Sequence, residues 1–466
     1  MKATTSWSFS PYRPPLFDVG EIYVCRIAPE KSGFVAEWLP EKDAKTYTVS
    51  YRIYKSEAAF ETATVTEPRA CIEGLAEGYD YEFCVSAGEK KSRLRLVRTG
   101  FVPGDSVIQY LHPQDNAYAY SGGALCSPSL VRHPDGYLLA SMDLFKSNAP
   151  QNLTLIYRSD DEGKTWHYIS ELYPCFWGKM FIHKGALYML AVSTEYGDLL
   201  IGRSDDGGKT FGMPTVLLRG AGRPTVAGVH KNPQKMLSYG GRLWTTLEWG
   251  NWQKPYHAAM CASVPEDAEL LDARNWAFTD PVPYDPTWAG TVENSKGCIE
   301  GCMVKGPDGG LYNVMRYDTA GGKPAYGKAV VMRVDPDRPE APLTFDRVID
   351  FPGNLSKFEI HYDEPSRRYF SIVSYLDAEH PKGRNLLSLI ASSDLENWKL
   401  ITHIWDYRHL PDSEVGFQYI NFIIEGEDII LASRTAFNGA KNYHDANYNI
   451  FARIRNFRES LREKCE

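Results

Sequence analysis

Apolar and polar residues alternate with a period of two through the first hundred positions. Between about residues 17 and 100 the runs AEWLP (36–40), YTVSYRIY (47–54) and IEGLAEGYDYEFCVSA (72–87) carry the pattern, split by glycine and charged turns. Successive strand side chains point to opposite faces, so each run buries one face. The spacing predicts a small all-β sandwich for this segment.

From about residue 106 the pattern becomes a repeat of two apolar strands joined by a tight turn. The copies are SLVRHPDGYLLASMD (129–143), KMFIHKGALYMLAVSTE (179–195), KMLSYGGRLWTTLE (235–248), CMVKGPDGGLYNVMR (302–316), FEIHYDEPSRRYFSIVS (358–374) and NFIIEGEDIILASR (421–434). About six copies at intervals of roughly 50–70 residues match the blade period of a β-propeller. The expected fold is therefore all-β, a six-bladed β-propeller preceded by a small β-sandwich. The last copy takes its third strand from NIFARIRNF (449–457). SVIQYLHP (106–113), ahead of the first copy, is placed to add the fourth strand and close the ring, which removes exposed strand edges.

Most pairs are followed by a further strand and an acidic turn. RSDDEGKTW (158–166) returns as RSDDGGKTF (203–211) and, altered, as SSDLENW (392–398). Aspartates bonding backbone amides, Gly163 or Gly208 at positive φ and a closing Thr165 or Thr210 make a self-contained loop. Trp166, Phe211 and Trp398 then bury a ring between strands. These turns lack calcium-loop spacing and read as folding devices.

Composition narrows the function. The 466 residues carry a net charge of −8 and no basic run, which argues against nucleic acid and anionic membranes as partners. The 11 Trp and 29 Tyr suit both a β protein and a sugar-binding surface. The first twenty residues hold no apolar signal region, and the nine scattered cysteines, the last being Cys465, read as reduced thiols of a cytoplasmic protein. Cys298 and Cys302, four apart on one strand, are expected on one face as buried thiols. No phosphate-cradling loop or metal-ligand spacing appears, so no cofactor or metal is expected.

In a propeller the innermost strands line a central channel, so the repeat itself nominates a site. Entries to the first strands carry Trp177, Lys179, His230, Lys231, Glu300, Lys357, Gln418 and Tyr419. Exits of the second strands carry Asp143, Glu195, Glu248, Arg316, Tyr317 and Arg434. Cations, carboxylates, a histidine and tyrosines together fit an acidic sugar: cations for its carboxylate, rings for its face, an acid/base pair for the bond. The competing reading makes about half of them structural ion pairs. Glu300 stands in an apolar strand, GCIEGCMV, where a carboxylate needs a partner or a purpose, and glycines leave room beside it. Glu248 precedes Trp249 and Trp252 and is placed to flank a sugar platform. In NYHDANY (442–448), His444 is expected at the mouth and Asp445 in loop folding.

The Trp, the YTVSYR strand and the GL…YDYEF corner resemble a fibronectin type III domain, which implies a spacer or docking module at 1–104, a candidate surface for self-association. The acidic turns resemble the Asp-box. With SPSLVRHPDG, GFQYINFIIEGEDIILASRTAF and NYHDANY they make residues 105–466 resemble the sialidase superfamily of propellers, including bacterial BNR-repeat proteins. That resemblance implies carbohydrate chemistry. Exo-sialidases of the family hold the carboxylate with three arginines, the first in an Arg-Ile-Pro motif; the matching segment here is Cys126-Ser127-Pro128-Ser129. Arg316 and Arg434 match two of the three. The chain is also similar to propeller enzymes that split rhamnose from glucuronate, which carry a histidine where this sequence has Met142, before Asp143.

Three functions follow. The first is an exo-acting glycosidase for a small acidic oligosaccharide. In it Glu300 or Glu248 acts as acid/base with His230, Tyr419 as nucleophile or charge stabiliser, and Arg316, Arg434, Lys179 and Lys231 hold the carboxylate. The second is a uronate lyase in which His230 or Tyr419 abstracts the α proton. The third is a sugar-binding propeller without turnover.

Overall fold

The structure, a computed structural model, describes residues 6–8, 21–146, 149–221, 225–252 and 257–462. Cys465 and most of the first twenty positions lie outside the described residues.

Two antiparallel sheets open the chain. One holds Val24–Glu30, Gly33–Trp38 and Arg69–Glu73; the other is built around Tyr47–Ile53 and Asp80–Ala87. Ile27, Phe34, Trp38, Val49 and Phe83 from both sheets form one core. The predicted alternation produces this directly. The pair of sheets docks onto the rest of the chain through buried polar groups. Arg26 Nε donates to Ile108 O at 2.8 Å, and Gln109 Oε1 accepts from Ile27 N at 3.0 Å. Arg95 meets Asp115 at 2.7 Å.

Six antiparallel sheets of four or five strands follow, here numbered I to VI. Their first two strands coincide with the six sequence pairs. Sheet VI comprises Gly416–Glu425, Asp428–Ala436, Tyr448–Ile454 and Ser106–Tyr110, so a strand from before sheet I completes the last sheet. Tyr448 pairs with Tyr110 in that seam.

The innermost strands do not run unbroken, and the interruptions alternate. In sheet I, Ala124–Leu125 and Ser129–Arg132 both pair with Leu138–Phe145 across a gap. In sheet III, Gly228–His230 and Leu237–Tyr239 share Arg242–Gly250 in the same way. In sheet V the strand starts only at His361. Sheets II, IV and VI instead carry a bulge, between Phe176 and Lys179, Ile299 and Gly301, and Gln418 and Asn421. Each bulge holds a non-glycine residue in the left-handed region: Trp177 at φ 50°, Glu300 at 56° and Tyr419 at 54°. Such backbone is disfavoured for large side chains and persists where the surroundings fix it.

The bulge corrects one expectation. Cys298 and Cys302 are both buried. However, the extra residue between them shifts the alternation, and they enter different cores. Cys298 packs with Trp244 and Ala259, Cys302 with Phe351 and Phe358. The room expected beside Glu300 is also filled, since a Cβ at Gly301 would collide with Asn313 Oδ1 and Thr246 Oγ1.

The repeated acidic turns fold on their own side chains. Asp161 accepts from Thr165 N at 2.8 Å and Thr165 Oγ1 at 2.7 Å, and Asp206 accepts from Thr210 in the same way. Asp394 uses Asn397 instead. Gly163 and Gly208 have φ of 85° and 90°. Trp166 and Phe211 are fully buried behind the turns, and Trp398 is half-buried.

Candidate functional site

The bulges in sheets IV and VI bring Glu300 and Tyr419 together. The Tyr419 hydroxyl donates to Glu300 Oε1, and Arg316 Nη1 donates to Oε2 at 2.7 Å. Burial pushes the Glu300 carboxyl up, but Arg316, His230 and the Tyr419 hydrogen bond outweigh it, so Glu300 stays below the ordinary carboxylate range. Burial, and then the Glu300 charge, hold the Tyr419 phenol well above its ordinary value. The pair is thus a buried carboxylate already bonded to the proton of a phenol.

Three guanidinium groups surround this pair. Arg316 also donates to Asn354 O at 3.0 Å and Leu355 O at 2.9 Å. Arg434 lies 5.0 Å over the Tyr419 ring. It donates to Cys126 Sγ at 3.3 Å and His444 O at 2.5 Å. The third, Arg384, was missed in the sequence. It donates to Gln418 Oε1 and, at 2.7 Å, to Leu355 O. Burial and then repulsion by Arg316 push it down to about 10, with Arg434 adding to the effect. Among the described residues neither Arg384 nor Arg434 has a carboxylate within 4.0 Å. Buried cations without counter-ions are costly. Cys126 stands in the segment that lacks an arginine, and Arg434 reaches it from the opposite end of the chain.

His230 and Glu248 are direct cross-strand partners in sheet III, with Nδ1 2.6 Å from Glu248 Oε2. Glu248 Oε1 accepts from Gly301 N at 3.1 Å, which ties this pair to the bulge of Glu300. With a carboxylate as acceptor the proton sits on Nδ1, and Nε2 makes no hydrogen bond to a described residue. Both oxygens of Glu248 are engaged, so its arrangement is that of a positioning group.

An aromatic group packs around His230. The Trp177 ring meets it edge-on at 4.4 Å, and His257, not foreseen in the sequence, lies 4.5 Å away. His257 Nε2 is 3.1 Å from the Tyr196 hydroxyl. Burial, and then His230, hold His257 well below the ordinary imidazole value. Trp177 is only 5% exposed, whereas Trp252 is 50% exposed. Glu195 accepts from the Trp252 indole at 2.8 Å and from Gln151 at 2.9 Å.

The nominated lysines form a separate buried network. Lys357 donates to Glu359 at 2.9 Å and to Ile420 O at 3.1 Å. Lys179 donates to Asn421 Oδ1 at 2.9 Å, and Lys231 to the carbonyls of Trp177 and Asn232. Burial pushes Lys179 down to about 8 against the pull of Glu359, and burial with Lys179 brings Lys231 down to about 7. These ammonium groups already have partners within the chain.

Other nominated residues sit elsewhere than expected. Tyr317 follows Arg316 on a strand and so faces the opposite way. Its hydroxyl lies 2.6 Å from that of Tyr284 and accepts from Val292 N at 2.8 Å, inside the core. Asp143 is fully buried and accepts from Thr154 Oγ1 at 2.5 Å; burial pushes it up to about 7, with Thr154 opposing. Gln418 fixes Arg384 and donates to Tyr443 O at 2.6 Å, a positioning part. His444 is half-buried, pushed down to about 4 by burial and Arg434, while Asp445 accepts from Lys441, Asn442 and His444 within the loop.

Arg384 and His257 share a signal that the nominations did not use. Each stands at or just before the third strand of its sheet, Leu386–Ser392 and His257–Pro265. A hairpin puts that entry at the same end as the exit of the second strand, so it faces the same mouth.

Sheets repeated in sequence, closed by a strand from the other end of the repeat, define a β-propeller. Comparison with solved structures agrees. An α-L-arabinanase from Penicillium chrysogenum, solved with arabinobiose, is similar at 16% identity and a TM-score of 0.50, over 76% of this chain and 98% of that one. A leech intramolecular trans-sialidase, solved with 2,7-anhydro-Neu5Ac, is similar at 9% identity and a TM-score of 0.49, over 93% and 92%. No family model matches the sequence, and no curated protein matches it.

Proposed function

We propose that the protein is an exo-acting glycosidase that removes a carboxylate-bearing sugar from a small oligosaccharide. The observation that carries this reading is the Glu300–Tyr419 pair beside three guanidinium groups, two of them without a carboxylate partner among the described residues. The sugar carboxylate sits among Arg316, Arg384 and Arg434. Glu300 takes the phenolic proton as the Tyr419 oxygen attacks the anomeric carbon, and His230 Nε2, when protonated, gives a proton to the leaving oxygen. Water, deprotonated by His230, then attacks the anomeric carbon of the glycosyl–Tyr419 intermediate, the bond from that carbon to the Tyr419 oxygen breaks, and the phenol recovers its proton from Glu300. A tyrosine nucleophile spares an anionic carboxylate from approaching an anionic sugar. The similar arabinanase supports glycoside hydrolysis on this fold, while the guanidinium groups favour an acidic substrate over a neutral one.

A second reading, elimination from a uronate, is supported by the His230–Glu248 pair, which leaves Nε2 free as a base. Mass spectrometry of products from sialylated and rhamnose-capped glucuronate oligosaccharides separates the two. Fragments whose summed mass has gained one water support hydrolysis. Fragments without added water support elimination, and no cleavage across the panel favours a binding propeller. The division at 104/105, a fibronectin type III-like role for the first part, and cytoplasmic location belong to the same proposal.

A further inference from the structure

The half-exposed Trp252 is held in one orientation beside the site. Its indole N–H donates to Glu195 at 2.8 Å, and Glu195 is itself fixed by Gln151. The indole lies edge-on to His230 and His257, with ring centroids 6.0 and 5.1 Å apart. A cavity beside it is walled by Trp252, His257, Lys296, Cys298, Ile299 and Asp318. Its wall ends at Ile299, one residue before Glu300. An exposed ring pinned at its only polar atom offers a fixed apolar face, as a sugar ring requires. The charge here is opposite to that around Tyr419. Glu195 is 8% exposed and has no cation partner among the described residues, while Lys296 and Asp318 pair at 4.0 Å.

Resting on the glycosidase reading, we propose that Trp252 is the stacking platform for the leaving sugar, and that this sugar is neutral. Glu195 orients the indole, and its carboxylate, which has no cation partner among the described residues, disfavours an anionic leaving group. The acidic sugar sits among the arginines and the neutral sugar on Trp252, with the bond between them at His230 Nε2 and the Tyr419 oxygen.

The test is binding of the methyl glycosides of glucose, galactose and arabinose, followed by saturation-transfer NMR, with and without saturating glucuronate or N-acetylneuraminate. At least one should bind the wild type and still bind with the acidic sugar present. Trp252→Ala should weaken it by about tenfold or more, the size of an aromatic contact, and Trp252→Phe should recover most of the loss. Glu195→Ala, which keeps the indole but frees it, should weaken binding while the folded state persists by near-ultraviolet circular dichroism. No binding to the wild type, equal binding to Trp252→Ala, or displacement by the acidic sugar overturns the proposal. Trp252-dependent binding with no cleavage of any acidic glycoside keeps the platform but overturns its leaving-group role and the glycosidase reading with it.

Discussion

The Tyr419 hydroxyl donates to Glu300 Oε1 across a sequence separation of 119 residues, from one left-handed bulge to another. Neither residue reaches the other from a regular strand. The two bulges, in sheets IV and VI, turn the side chains out of the alternation and hold them there.

Tyr419→Phe removes the oxygen proposed to attack and leaves the Glu300–Arg316 pair intact. Turnover of an acidic glycoside should fall by about 10²–10⁴-fold or more, with binding of the free acidic sugar retained. Steady-state kinetics beside calorimetric titration gives both values.

Glu300→Gln separates stability from chemistry. Glu300 is held below its ordinary value, so its pair with Arg316 contributes above the unfolded carboxyl value and is lost as pH falls through the lower folded one. At pH 7 the variant should be less stable by about 3–5 kcal/mol, since Arg316 loses its buried partner. Urea unfolding between pH 7 and pH 3 should show the gap closing as the wild-type carboxylate is protonated.

Arg384→Met is expected to act in opposite directions on fold and function. Arg384 is buried, and Arg316 and Arg434 repel it. Replacing it with an apolar side chain should raise the unfolding free energy by about 1 kcal/mol while weakening the acidic sugar by at least about tenfold. Thermal unfolding with and without the sugar reads both effects: a higher melting temperature alone, and a smaller rise on adding ligand.

Lys231 shifts stability in the same direction as Glu300 but in a higher pH window. Burial with Lys179 brings it down to about 7, whereas the unfolded chain keeps its proton to about pH 10.4. Between these values the unfolded state binds more protons, so this contribution to stability rises with pH. Lys231→Met removes it. Wild-type stability relative to the variant should therefore climb from pH 7 to pH 10, by at most about 1.4 kcal/mol per unit. A flat difference in urea unfolding would contradict the assignment.

The sequence by itself determined the strands, the six pairs, the self-bonded acidic turns and the closing strand at Ser106–Tyr110. These follow from period-two alternation and from short-range turn chemistry, which are written locally. It also placed Glu300, Tyr419, Arg316, Arg434, His230 and Glu248 near one mouth, because the repeat fixes which strand ends meet. Tertiary structure alone decided the bulges, since no local signal makes Trp177, Glu300 or Tyr419 left-handed. A one-residue insertion reverses every later side chain, which is why Cys298 and Cys302 part. It likewise decided that Arg384 completes the guanidinium group and that Lys179 is taken up by Asn421. Such contacts join residues distant in the chain, and their strength lies in shared burial, a property of the closed ring and of no single segment.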